Sequence, residues 1–138
     1  MDVSLKYQFL ELIIRLFCGI IFVFQGYDKL FVVKVKGVVD LFQNNARQKN
    51  VPQFLQYSMA YYTSAMEFFG GILLILGLFK NIVLVLLGFD VIMVAVAFSV
   101  LEPVWDMRHV FPRLLIVSVL LVMPEEWSRF TLDFFLNK

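Results

Sequence analysis

The apolar residues of this chain come in long runs instead of scattered core positions. A helix needs about 20 mostly apolar residues to cross the hydrocarbon core of a bilayer. Four stretches reach or approach that length, at about 8–28, 57–78, 82–101 and, more briefly, 110–123. None shows the two-residue alternation of a half-buried strand. Lipid offers no partner to an unpaired backbone group, so each run is read as a helix. The LFKN segment at 78–81 makes a tight turn between the second and third runs. A longer connection, roughly 29–56, joins the first and second. Within it Val35, Val38, Val39 and Phe42 recur at helical spacing, while Lys34, Lys36, Asp40, Asn44 and Arg47 fall mostly on other faces. That pattern predicts a short amphipathic helix over 35–48, lying in the membrane plane. In the C-terminal PEEWSRFTLDFFLNK, Pro124 suits a first helical position and Glu125 and Glu126 suit a first turn. Trp127, Phe130 and Phe134 follow at helical spacing as headgroup anchors.

The expected fold is therefore an all-α membrane protein. It is a bundle of four transmembrane helices, with an interfacial helix between spans one and two and an amphipathic C-terminal helix, in one domain over 1–138. Composition agrees: 61% of the residues are hydrophobic, where an ordinary soluble domain has roughly half. The N-terminus lacks a basic segment and a small-residue cleavage site, so it reads as the start of the first span. Four spans put both termini on one side of the membrane, and the larger share of Lys and Arg in the connections after spans one and three places the termini outside.

Other function classes fall away. The net charge of +1 comes with no basic run and no zinc-finger spacing, so nucleic acid is not an expected partner. Cys18 is the only cysteine, which excludes a disulfide framework and a CxxC pair. Its place in an apolar run makes it a packing residue. His109 is the only histidine, which excludes a two-histidine metal site within one chain and leaves it as an interfacial hydrogen-bonding residue. No metal site is expected.

Against this apolar background three ionisable residues sit well inside the runs: Arg15, Glu67 and Asp90. Charges at such depth cost several kcal/mol or more unless paired or hydrated. Residues in a helix advance about 100° each, so Gly19, Phe22, Gly26 and Lys29 return to within roughly 40° of the direction of Arg15. Glu11 shares that stripe. Glu67, Gly71 and Leu74 share a face of the second run, with Gly70 and Gly77 beside it. Glycines on a stripe let another helix approach closely, so both stripes face protein. The expectation is a buried polar cluster in which Arg15 pairs with Glu67, with Asp90, or with both. Two alternatives stand beside it: local pairing of Arg15 with Glu11, and a cluster that only fixes helix register. The functional version is a pocket for a headgroup, a quinone ring or a proton.

The two motifs together resemble a known family. R-x-x-x-G-x-x-F-x-x-x-G-x-x-K appears as Arg15, Gly19, Phe22, Gly26 and Lys29, and E-x-x-G-G-x-x-L-x-x-G as Glu67, Gly70, Gly71, Leu74 and Gly77. In order and spacing they resemble the DoxX-like family of small four-helix membrane proteins. The resemblance implies a membrane subunit, in the bacterial inner membrane, associated with redox complexes that touch the quinone pool. Quinone is the one cofactor it brings into view, and other membrane or membrane-associated subunits are the partners it implies beside the lipid bilayer. With Cys18 alone the chain cannot run dithiol chemistry, so it is not expected to be catalytic by itself. A non-catalytic scaffold or anchoring subunit is the alternative reading.

Overall fold

A computed structural model describes residues 2–48, 50–101 and 110–136. Its helices in chain order are α1 (Val3–Tyr27), α2 (Lys34–Gln48), α3 (Gln53–Leu76), α4 (Lys80–Leu101), α5 (Val110–Val122) and α6 (Leu132–Leu136). No strand occurs among the described residues. The chain is an all-α membrane protein. Three helical stretches, Val3–Val32, Gln53–Leu76 and Lys80–Leu101, are long and apolar enough to cross a bilayer. The fourth apolar helix, α5, is shorter. Its 13 residues rise about 20 Å, short of a hydrocarbon core of about 30 Å. Large apolar side chains such as Phe17, Phe24, Phe69, Phe89, Ile92 and Leu115 remain exposed on the protein and meet lipid.

The first span is longer than its hydrophobic run announces. It begins at Val3, and after Tyr27 it continues as a π-helical turn over Asp28–Val32. A π-turn inserts a residue into the helical repeat and turns the following side chains to a new face, and such turns recur at functional sites. Here it carries Lys29.

The α1–α3 pair is the tightest contact in the bundle, and glycines make it so. A Cβ placed on Gly26 would lie 2.3 Å from the backbone nitrogen of Phe68, and one on Gly71 would lie 2.8 Å from that of Val23. The helices run antiparallel with their backbones touching, which is the role of small residues between membrane helices. At the end of α3, Gly77 takes the left-handed conformation (φ 68°). The Leu78 and Gly77 amides donate to the Leu73 and Leu74 carbonyls, the double closure of a glycine-terminated helix. Phe79 is also left-handed, at φ 50°, and α4 starts at the next residue. The expected tight turn is therefore present.

The amphipathic segment after span one is helical, as its spacing predicts. Val35, Val39 and Ala46 are buried, and Phe42 meets Phe98 of α4 edge-on at 5.5 Å. Its apolar face is thus seated on the bundle. The C-terminal segment differs from expectation. In place of one amphipathic helix there is a 3₁₀ turn at Glu125–Trp127 and, after a break, the five-residue α6. The break has a local cause: Thr131 donates its hydroxyl to the Ser128 carbonyl and accepts from the Phe134 amide, capping α6 afresh. Trp127 stacks on Tyr7 with centroids 4.5 Å apart, and Phe130 lies 5.3 Å from Phe9. These rings hold the segment against α1. The expected interfacial His109 lies outside the described residues.

Two substitutions separate contact from composition. Gly26→Ala drives its methyl into the Phe68 backbone, and overpacking of that kind costs about 1–3 kcal/mol. Gly88→Ala meets nothing nearer than Val117 at 3.8 Å and gains up to about 1 kcal/mol of helix propensity. Thermal unfolding in detergent is expected to show a lower midpoint for the first and an equal or higher one for the second.

Candidate functional site

The three mid-run charges are all fully buried, but they do not meet. Arg15 belongs to one cluster, while Glu67 and Asp90 lie at another. The register of α1 on α3 explains the separation. Gly26 lies on Phe68, and Val23 on Gly71. Carried back along the pair, that register sets Arg15 at the C-terminal end of α3, about 12 residues and ~18 Å from the level of Glu67. Periodicity identifies a face; it does not set the depth at which two faces engage.

The Arg15 cluster is a capping device. One guanidinium nitrogen, Nη1, donates to the carbonyls of Leu74 and Ile75 at 2.8 and 2.7 Å, and Nη2 donates to that of Phe130 at 2.7 Å. Nε faces Glu11 at 3.2 Å. The cation thus sits where the last carbonyls of α3 concentrate partial negative charge. Glu11 is also held by Lys80 Nζ at 3.2 Å, and Lys80 donates in addition to the Ser128 hydroxyl. The Lys80 amide donates to Asp133 at 3.1 Å. The local Arg15–Glu11 pair is therefore real, and it is one part of a network joining α1, α3, α4 and the C-terminal segment. Lys80, which reads in the sequence only as a turn residue, is buried within it.

The second cluster centres on Glu67. Lys29 Nζ donates to Oε2 at 2.6 Å, and Arg113 Nη1 donates to Oε1 at 3.0 Å. The carboxylate is fully buried, while the Lys29 side chain is 25% exposed and opens toward the exterior. The π-turn aims Lys29 from α1, the glycine-lined face of α3 supplies Glu67, and the first turn of α5 supplies Arg113. Asp90, from mid-α4, lies within electrostatic range of Glu67, Lys29 and Arg113. Neither of its oxygens has a hydrogen-bond partner among the described residues, and the same holds for Arg113 Nε and Gln25 Oε1. The stripe holding Gly26 and Lys29 carries the signal for the Lys29–Glu67 pair, because an antiparallel partner of Gly26 near Glu67 brings the lysine there. Arg113 carries no comparable signal.

The motif glycines line the contacts between the clusters. Gly19 and Gly71 face one another across the α1–α3 pair, Gly70 faces Leu87 of α4, and Gly77 packs on Thr131. Cys18 is buried among apolar neighbours. Among the described residues no three of His, Cys, Asp and Glu converge as metal ligands.

Beside the Glu67 cluster lies an apolar cavity of about 300 Å³ between α2, α3 and α4. Val38, Val39 and Phe42 form its roof, Met59, Ala60 and Thr63 one wall, and Met93, Val94, Ala97 and Phe98 the other. Lys29 lines it as well. Thr63 and Val94 of its walls stand one helical turn from Glu67 and Asp90, and Lys29 is the member of the charged layer that reaches the cavity itself.

The two clusters respond differently to mutation. Lys29→Met and Arg113→Met each leave Glu67 one cation, so each alone has a small effect on unfolding in detergent. The double variant strands a buried carboxylate and loses about 3–5 kcal/mol, well beyond the sum of the singles. Arg15→Lys is expected to behave nearly as badly as Arg15→Met, since an ammonium does not reproduce a planar fork spread over three carbonyls.

The comparisons with known proteins accord with this architecture. No curated protein and no solved structure matches the chain. Residues 10–101, well over half of the sequence, match the DoxX family model. That span includes both glycine motifs, Lys29, Glu67, Asp90 and every residue that lines the cavity. The chain belongs to the DoxX family.

Proposed function

We propose that this protein is a membrane subunit of a redox-linked complex working at the quinone pool of a bacterial inner membrane, and that its working centre is Lys29, Glu67, Asp90 and Arg113. The observation that carries the reading is the excess of buried charge at that centre. The α1–α3 register is already fixed by backbone contact at Gly26 and Gly71, and Arg15 already closes the end of α3. A further set of two acids and two bases around Glu67 adds nothing that these features lack, and buried ion pairs are poor stabilisers compared with apolar packing. Intramembrane ionisable groups of this kind mark ligand or proton sites. The chain's part is to bind and to hold protons or hydrogen bonds near the ligand. Cys18 is single and buried, so dithiol electron transfer falls to a partner protein.

Purification in mild detergent from the native membrane tests the proposal. The expected preparation contains quinone and a stoichiometric redox partner. The combined variant Lys29→Met, Glu67→Gln, Asp90→Asn, Arg113→Met is expected to insert and assemble, with the activity of its complex lost. A stoichiometric partner with no quinone, and full activity in the combined variant, would select the anchoring role instead.

A further inference from the structure

We infer that the cavity beneath α2 is a binding site for a neutral, lipid-soluble molecule that carries an acceptor oxygen at its head, with Lys29 donating the hydrogen bond that orients it. The inference deepens the quinone-pool reading by assigning the site and the ligand chemistry, and it rests on that reading for the identity of the ligand alone.

Three observations converge. The first is shape: a concavity of about 300 Å³ stands at the lower end of the range of ligand pockets. It holds a ring or a short apolar head, with any longer tail left to run out between exposed side chains such as Val96 and Val100. The second is chemistry. The cavity wall is apolar apart from Lys29, Thr63 and Gln56. Thr63 donates its hydroxyl to the Ala60 carbonyl and the Gln56 amide donates to the Val51 carbonyl. Lys29 has three N–H donors, of which Glu67 takes one. No other acceptor among the described residues takes the remaining two. Gln56 keeps one further amide N–H, whereas the Lys29 ammonium keeps two and carries the charge that strengthens a hydrogen bond. The third is charge. The Glu67 carboxylate already lies 2.6 Å from the Lys29 ammonium, so an anionic head at Lys29 would stand close to a second negative charge, whereas a carbonyl oxygen accepts from Lys29 and adds no charge. A fatty acid is thus the disfavoured occupant, although its tail would fit.

A left-handed residue stands at each end of the roof: Lys34, the first residue of α2, at φ 61°, and Asn50, just beyond it, at φ 53°. The helix therefore covers the cavity without being continuous with either span.

Photoaffinity labelling of the intact protein in nanodiscs tests the assignment, with three diazirine probes of equal chain length: a decyl-benzoquinone, a redox-inert long-chain ketone and a fatty acid. Peptide mapping is expected to find the quinone and ketone labels on Phe42, Met59, Met93 or Phe98, competed by unlabelled decyl-benzoquinone. Labelling confined to the outer lipid-facing residues, or fatty-acid label in the cavity with neither neutral probe, would overturn the inference. This mapping uses the unaltered chain, so no folding defect obscures it. Lys29→Met, which leaves Glu67 paired to Arg113, is expected to raise the competing concentration roughly 10- to 100-fold, the value of a charged hydrogen bond. Unchanged competition in that variant would remove Lys29 from the site. Ketone and quinone labels in the cavity of a protein that brings no quinone from its membrane would leave the cavity assignment standing and remove the quinone-pool reading.

Discussion

Everything in the bundle is set by how closely α1 and α3 approach. Between Gly26 and Phe68, and between Gly71 and Val23, there is no room for a methyl group. In lipid there is no hydrophobic gain from pairing two apolar helices, so close packing has to supply the association. Backbone contact also fixes the register along the pair, and the register decides which charges meet. Lys29 arrives at Glu67, and Arg15 arrives at the end of α3. A slide of one turn, about 5.4 Å, would break both sets of bonds at once. Close contact at the glycines thus sets the register, and the register in turn sets where each charged cluster forms.

The helices, the turn after Gly77 and the amphipathic α2 are legible in the sequence because each is a local pattern of period 3.6 or a local backbone requirement. The inward faces of α1 and α3 are legible for the same reason, and Arg15 and Glu67 are indeed buried on them, as Asp90 is on α4. The pairing of Arg15 with Glu67 or Asp90 is not what forms. Depth along a helix pair is a tertiary quantity, and the charges carry no mark of it. Arg15 is satisfied largely by main-chain carbonyls, and carbonyls are invisible in a sequence because every residue has one. The C-terminal segment shows the same limit. Its aromatic spacing fits a helix, yet Arg15 and Lys80 draw Phe130 and Ser128 into the network and Thr131 restarts the helix beyond them.

The two clusters divide the labour of buried charge. At the Arg15 end almost every donor and acceptor is matched, much as a structural core requires. At the Glu67 end Asp90 and Arg113 Nε stand without protein partners among the described residues, and the neighbouring cavity lies open beside Lys29. A protein tolerates unmatched polar atoms in its interior where they serve something other than stability.

The Arg15 network also bears on the order in which the protein is made. During synthesis α1 emerges ahead of α3 and of the segment around Phe130, carrying a cation whose carbonyl partners lie 59 to 115 residues further along the chain. Glu11, one turn away, emerges beside it. The pair gives the arginine a counter-charge before those carbonyls exist, and in the finished fold Glu11 is shared with Lys80. The contact that sets α1 against α3 and the one that draws in Phe130 thus wait on parts of the chain made at different times, and one side chain joins them.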